Sequence, residues 1–66
     1  MNNQPKTSNR EIAVEFYDEK KGVEWLDARG IEYVDNDNGM FTVTVRTQEE
    51  YELMNKNNNV SYLSDL

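Results

Sequence analysis

The stretch from Gly30 to Arg46 most constrains how this chain can fold, because it has the pattern of a β-hairpin. Two runs rich in β-branched and aromatic residues, 31–34 and 40–45, flank a cluster of small polar residues at 35–39. Small polar residues and glycine adopt turn conformations that are unfavourable inside strands. The pattern therefore predicts two antiparallel strands joined by a tight turn, against which the other elements pack.

The length of the turn decides which side chains of the hairpin share a face. A two-residue turn would place the charged Glu32 among apolar partners. A three-residue loop, 37–39, with Gly39 in the left-handed conformation, instead sets Tyr33 opposite Val43. The sequence favours this second register, because a one-residue slip exchanges the core face and the solvent face. Its core face consists of Ile31, Tyr33, Phe41, Val43 and Val45.

The segment before the hairpin allows two interpretations. Residues 11–17, EIAVEFY, alternate apolar and polar side chains, and this period of two predicts a strand. However, Ser8 and Glu11 also fit a capping box that would begin one long helix over 9–29. That helix would expose a second apolar stripe and would carry Gly22 in its interior, at a cost of about 1 kcal/mol relative to alanine. The sequence favours the strand.

Two shorter helices have recognisable ends. Asp18 predicts the N-cap of a helix that runs through Arg29, and Gly30 ends it by adopting the left-handed conformation. In the second helix, Thr47 and Glu50 form a Thr-x-x-Glu capping box, and this helix ends before an asparagine-rich stretch. Both helices follow a strand directly, so each is expected to cross back over the sheet.

The predicted order is strand, helix, strand, strand, helix, and a short final strand at 60–63. This βαββαβ order predicts an α+β fold, a small ferredoxin-like sandwich with two helices on one face of an antiparallel sheet. The alternative, an αββα fold with a long first helix, differs only at the ends. Residues 10–66 are expected to form one domain after a disordered tail, 1–9. The predicted core comprises Ile12, Val14, Phe16, Val23, Leu26, Ile31, Tyr33, Phe41, Val43, Val45, Tyr51 and Met54.

Charge and composition limit the partners of this chain. Thirteen acidic and seven basic residues give a formal net charge of -6. Phosphate recognition needs clustered cations, so direct nucleic-acid binding is disfavoured and a protein with a basic surface is the better electrostatic complement. The chain has no cysteine and no apolar run long enough to cross a bilayer, so we expect a cytoplasmic protein that does not bind membranes.

Enzymatic chemistry lacks its usual residues. The chain has neither histidine nor cysteine, and its three glycines are too far apart for a phosphate-binding loop. The polar turn 35–39 resembles a calcium-binding loop. If Gly39 took the glycine position of an EF-hand loop, position 6, then position 12, which requires glutamate, would be Val45. The third predicted strand also lacks the basic start of an RNA-recognition strand. We therefore expect no enzyme activity, no metal and no cofactor.

Two surfaces are candidates for a protein partner. The uncovered side of the sheet offers residue types that are common at interfaces, although an ordinary wet sheet face explains them equally well. The partner-binding candidates are Tyr17, Val34, Met40, Thr42, Thr44 and Arg46. A row of carboxylates could also imitate the phosphates of a nucleic acid, although acidic helices usually serve solubility. This acidic rim consists of Glu15, Asp18, Glu19, Glu49, Glu50 and Glu52.

These observations lead to three hypotheses about function. The first is a small acidic protein-binding module that regulates or inhibits a basic partner, in its sharper form by mimicking nucleic-acid charge. The second is a homodimer that responds to a ligand at its seam, formed by pairing of edge strands or helices. The third is a nucleic-acid-binding domain, which the acidic charge disfavours.

Overall fold

Six elements follow one another in the order that the hairpin and capping signals predict. The computed structural model describes residues 9–66, so the tail predicted over 1–9 lies outside the described residues except for Asn9. The elements are β1 (Arg10–Phe16), α1 (Glu19–Arg29), β2 (Glu32–Asp35), β3 (Phe41–Val45), α2 (Gln48–Lys56) and β4 (Val60–Asp65). The strands form one antiparallel sheet in the order β2-β3-β1-β4. This confirms the ferredoxin-like arrangement, and the alternative with one long first helix is wrong.

Strand boundaries differ from the predicted ones by one or two residues. Strand β1 begins at Arg10 and ends at Phe16, one residue earlier than predicted, and β2 begins one residue later, at Glu32. Strand β4 is longer than predicted and reaches Asp65, which pairs with Ile12 of β1. The polar end of β4 has little intrinsic strand preference, so its extended conformation comes from backbone pairing with the central strand β1.

The hairpin has the predicted three-residue register. Tyr33 pairs with Val43, and Gly39 is left-handed with φ 87°. Asp37 is also left-handed, with φ 63°, which the sequence did not indicate. Its backbone N–H donates to the Asp35 carboxylate at 2.9 Å. Local hydrogen bonding of this kind allows aspartate and asparagine to occupy left-handed turn positions.

Helix α1 begins and ends as its capping residues predict. The Asp18 carboxylate accepts the backbone N–H of Lys21 at 3.1 Å, which satisfies a donor of the first turn. Gly30 has φ 68°, and its N–H donates to the Asp27 carbonyl at 3.1 Å. Because this left-handed residue turns the chain sharply, Ile31 enters the core directly after the helix.

Helix α2 has a variant of the predicted capping box. The Thr47 hydroxyl accepts the Glu50 N–H at 3.1 Å, as predicted. The Glu50 carboxylate does not return to Thr47 but accepts the N–H of Arg46 at 2.8 Å. In a standard capping box this glutamate accepts the N–H of the N-cap residue, whereas here it accepts the N–H of the residue before it. The Glu50 side chain thereby connects the end of β3 to the first turn of α2.

The core lies between the sheet and the two helices. Its edge-to-face aromatic contact joins Phe16 of β1 and Phe41 of β3, with ring centroids 5.5 Å apart. All of its buried residues belong to the predicted core, whereas Val23, Tyr33 and Tyr51 are only partly buried against it. The buried residues are Ile12, Val14, Phe16, Leu26, Ile31, Phe41, Val43, Val45 and Met54.

Strand β4 contains a bulge that changes which of its side chains face the core. The register with β1 shifts after Glu15, so Ser61 is an extra residue in β4. As a result, Val60 and Leu63 both pack against the core although they are three positions apart. Simple alternation along 60–63 would put Tyr62 on the same side as Val60, but the bulge turns Tyr62 to the opposite side, where it is exposed.

At the end of the molecule where α1 begins, α1 packs closely against β1, and hydrogen bonds join the residues after β1 to the start of β4. Gly22 of α1 lies against β1 so closely that a Cβ there would overlap the ring of Phe16. The side-chain amide of Asn59 makes two hydrogen bonds with the backbone of Asp18: its Oδ1 accepts the N–H at 2.9 Å and its Nδ2 donates to the carbonyl at 2.8 Å. The backbone N–H of Tyr17 also donates to the Asn59 carbonyl at 2.8 Å. The start of β4 is thus tied to the end of β1.

Candidate functional site

The side of the sheet that faces away from the helices is the candidate site, and we call it the outer face. Alternation along each strand determines its members, since successive side chains point to opposite sides. Neither α1 nor α2 covers it, because both pack against the core on the other side through Leu26 and Met54. The outer face consists of Glu11, Ala13, Glu15, Glu32, Val34, Thr42, Thr44, Tyr62 and Ser64 in the strands, with Met40 and Leu66 next to them.

Cross-strand pairing orders these residues into rows. Thr44 of β3 pairs with Glu32 on one side and with Glu11 on the other. In the next row, Thr42 pairs with Val34 and Ala13. A carboxylate pair around a threonine therefore lies next to a row of small or apolar side chains.

The third row lies at the hairpin end of the outer face. Glu15 pairs with Tyr62 of β4. Continuation of the β1–β3 register by one residue places Met40 on the other side of Glu15. An apolar side chain thus flanks this carboxylate on each side.

Large apolar side chains are unusually exposed on this face. Val34 is 60% exposed, Tyr62 is 50% exposed and Leu66 is 72% exposed. The backbone N–H of Leu66 donates to the Glu11 carbonyl at 3.1 Å, so Leu66 continues the pairing of β4 with β1. Single exposed apolar residues are ordinary. Here three of them share one uncovered sheet face, Val34 at its β2 edge and Tyr62 and Leu66 at its β4 edge, which makes this face the candidate interaction surface.

Four of the six predicted partner-binding residues lie together on or beside the outer face. Val34, Thr42 and Thr44 are strand residues there, and Met40 precedes β3 at the hairpin turn. The hydroxyl of Thr42 accepts a hydrogen bond from the Asn36 side-chain amide at 3.0 Å. This bond fixes the side chain of Asn36 beside the apolar row.

Tyr17 lies beyond the end of β1 and has a different setting. It is 77% exposed and lines a surface groove of about 420 Å³ together with Trp25 of α1. The remaining walls of the groove are the α2–β4 loop, Asp18 and Lys21. Tyr17 is therefore at the margin of the outer face and not among its paired strand residues.

Arg46 is held within the molecule instead of extending from it. Its guanidinium donates to the Gly30 carbonyl at 2.8 Å and lies 4.0 Å from the Glu50 carboxylate. These contacts join the end of α1 to the start of α2. Arg46 is half-exposed, but its hydrogen-bonding capacity is partly used inside the fold.

The predicted acidic rim is divided between the two ends of the sheet. Asp18 and Glu19 lie where α1 begins and α2 ends, as the hydrogen bonds between Asp18 and Asn59 demonstrate. Glu49, Glu50 and Glu52 lie at the opposite end, where α2 begins. Strand β1 spans about 20 Å between these ends, and Glu15 projects from the outer face. The six carboxylates therefore do not form one continuous row.

Sequence reasoning missed four residues of the outer face, namely Glu11, Tyr62, Ser64 and Leu66. Tyr62 and Leu66 were missed because the Ser61 bulge and the length of β4 depend on pairing with β1. Glu11 was placed at the start of a strand without being recognised as the neighbour of Thr44. The alternation of 11–17 contained the signal for Glu11, but no local signal indicated the bulge.

Within residues 9–66, no group of three or more acidic, histidine or cysteine side chains is placed to hold a metal ion. In the same range, neither helix has the length and apolar character that a membrane-spanning helix requires.

Comparison with known proteins identifies no relative. No protein-family model, curated protein or solved structure matches the chain.

Proposed function

We propose that this protein is a small, acidic, non-enzymatic protein-binding module that regulates or inhibits its partner through the outer face. The observation that carries the proposal is the exposure of Val34, Tyr62 and Leu66 on a sheet face that neither helix covers. Burial of apolar surface is the dominant favourable term in most protein–protein association. A partner that covered this face would remove these side chains from water.

The charge of the outer face supports a partner with a basic surface. Of the strand residues on the outer face that the structure describes, three are glutamates and none is lysine or arginine. This local balance has the same sign as the net charge of -6. Complementary potentials accelerate association and exclude wrong partners, so a basic surface is the favoured complement.

Mimicry of nucleic-acid charge is a narrower form of this proposal. Its support is now the outer face, where Glu11, Glu15 and Glu32 accompany the apolar side chains. The other carboxylates of the acidic rim contribute less, because Asp18 and Glu19 lie at the opposite end of the sheet from Glu49, Glu50 and Glu52. In this form, the module would occupy the nucleic-acid site of a basic protein and inhibit it.

Affinity capture with matched variants tests the proposal. The bait is the tagged full chain, and the captured proteins are identified by mass spectrometry at low and high salt. A Val34→Ser/Tyr62→Ser variant removes two apolar side chains from the outer face, while Leu53→Ser removes an exposed leucine from α2 as the control. Circular dichroism verifies that both variants are folded.

The expected result is a basic protein that the wild type and Leu53→Ser retain and that Val34→Ser/Tyr62→Ser loses. Elution by salt would agree with the charge complementarity. Equal retention by all three chains would contradict the assignment of the outer face, and the absence of any specific partner would contradict the proposed function.

A homodimer is the second candidate, and the edge strand β4 favours it. Edge strands present unpaired backbone groups that can pair with another chain. Antiparallel self-pairing of β2 would bring Glu32 near Asp35 of the other copy, and like charges opposite each other destabilise a ladder. In β4, self-pairing centred on Leu63 would place the single charged residue Asp65 opposite Ser61. A ligand would then bind at this seam.

The molar mass measured by light scattering distinguishes a homodimer from a monomer. A dimer has twice the chain mass of 7.8 kDa, so 15.6 kDa is expected if β4 pairs with itself. A mass of one chain at every concentration up to the millimolar range would eliminate the homodimer and leave the first proposal unaffected.

A further inference from the structure

Carboxylates and apolar side chains are unevenly distributed along the strands of the outer face. At the end nearest α2, Glu11 and Glu32 both neighbour Thr44, with β3 between their strands. Strands are spaced about 4.8 Å apart, so the two backbones are about 10 Å apart across Thr44. Both glutamates are exposed. The two carboxylates therefore lie on either side of the Thr44 hydroxyl.

The cations closest to this row have other partners. Arg10 begins β1, but its guanidinium lies 4.2 Å from the centre of the Tyr51 ring and 3.6 Å from the Asp65 carboxylate. Arg46 follows β3, but it donates to the Gly30 carbonyl. In the part of the chain that the structure describes, neither Glu11 nor Glu32 is in an ion pair. Their charge is therefore available to a partner.

The opposite end of the outer face has more apolar side chains, with one carboxylate, Glu15, among them. Tyr62 and Met40 flank Glu15 there, and Val34 lies in the adjacent row. Glu15 is four positions after Glu11 in β1, which corresponds to about 13 Å along the strand. The face thus offers an apolar contact and an acidic contact at a defined separation.

We infer that the outer face binds a basic amphipathic segment of its partner protein, with one lysine or arginine between Glu11 and Glu32 and an apolar side chain against Met40 and Tyr62. This inference rests on the proposed function and specifies its partner chemistry. A second copy of the chain is disfavoured on this face, because each copy would bring the same carboxylates to the interface. A helix covers the required 13 Å in about nine residues and an extended segment in about four.

A peptide titration tests the inference. The probe is a synthetic amphipathic helical peptide that carries leucines on one face and lysines about nine residues further along. Its twin carries glutamate in place of every lysine. Each peptide is added to the isotope-labelled full chain at low salt and at about 0.15 M salt, and binding is followed through the backbone amide resonances.

Two doubly substituted chains with the same net charge provide the comparison. Glu11→Gln/Glu32→Gln neutralises the acidic pair, and Glu24→Gln/Glu49→Gln neutralises two exposed carboxylates on the helices. We expect the lysine peptide to shift resonances in β1 and β3 and to bind about tenfold more weakly to the first variant, with less than a twofold change for the second. We expect no binding of the glutamate twin.

Equal weakening by both variants would overturn the inference, since it would mean that only overall charge matters. Binding of the glutamate twin, shifts confined to the helices, or failure of the lysine peptide to bind would also overturn it. The outcome is separable from that of the proposed function. If Val34→Ser/Tyr62→Ser loses a captured partner while the lysine peptide does not bind, the outer face remains the interface and only the basic segment is rejected.

Discussion

Glycine at position 22 results from packing and not from helix formation. Helix propensity alone treats Gly22 as unfavourable in the interior of α1, by about 1 kcal/mol relative to alanine. In the fold, however, the Phe16 ring occupies the space that a Cβ would need. The absence of a side chain therefore lets α1 approach the sheet and lets Phe16 remain in a low-energy position in the core.

Gly22→Ala tests this interpretation. We expect it to lower the free energy of unfolding by about 1–3 kcal/mol, the usual cost of overpacking, although propensity predicts a gain. Urea denaturation followed by circular dichroism measures the change. In a Phe16→Leu background the same substitution should cost less, because the ring is gone. A Gly22→Ala chain more stable than the wild type would contradict the packing argument.

Asn59 is a second residue whose role depends on a distant part of the chain. Its amide group satisfies both the N–H and the carbonyl of Asp18, 41 residues earlier. We expect Asn59→Ala to lower the free energy of unfolding by about 1–2 kcal/mol through loss of these hydrogen bonds. Asn58→Ala, at the exposed neighbouring position, should change it by less than about 0.5 kcal/mol. Equal effects in chemical denaturation would show that Asn59 has no special role.

At the scale of elements, two hydrogen bonds stabilise the start of α2, one from the Glu50 N–H to the Thr47 hydroxyl and one from the Arg46 N–H to the Glu50 carboxylate. Glu50→Ala removes the acceptor of the Arg46 N–H, and we expect it to cost about 0.5–1.5 kcal/mol. Glu50→Gln keeps an acceptor and should recover most of this stability. Thermal unfolding of the two variants gives the comparison. If Glu50→Gln is as unstable as Glu50→Ala, the charge of Glu50 and not its hydrogen bond stabilises the junction.

The elements with local signals could be predicted from the sequence. Asp18 and Gly30 indicated the ends of α1, and the turn at Gly39 indicated the hairpin register, because capping and turn chemistry involve residues close in the chain. The bulge at Ser61 and the full length of β4 could not be predicted in the same way. They arise from pairing with β1, more than 40 residues away, and β propensity depends strongly on such context.

The residues of the outer face, like the elements, could be predicted only where the signal is local in the chain. Val34, Thr42 and Thr44 follow from the hairpin register, so their common face could be predicted. Tyr62 joins that face only because the bulge turns it outward. Residues contributed by β4 require knowledge of its pairing with β1, which the local pattern does not contain.

At the scale of the whole molecule, the net charge of -6 is expected to oppose compaction. Added NaCl screens this repulsion, so we expect the thermal midpoint to rise between low salt and about 0.5 M. A Glu24→Lys/Glu49→Lys variant changes the charge by four, from -6 to -2, and should respond less to salt. A thermal midpoint that falls with salt would mean that attractive ion pairs outweigh the repulsion.

Strand β1 occupies a central position in the sheet, between β3 and β4, and this arrangement has a consequence for folding during synthesis. Strand β1 cannot complete its pairing until β4 has been synthesised, since the two strands are more than 40 residues apart in the chain. Such long-range closure slows folding and leaves apolar strand surface exposed in the meantime. Until then, the nascent chain presents the unpaired edge of β1, which is the point where a chaperone or an aggregating neighbour would first make contact.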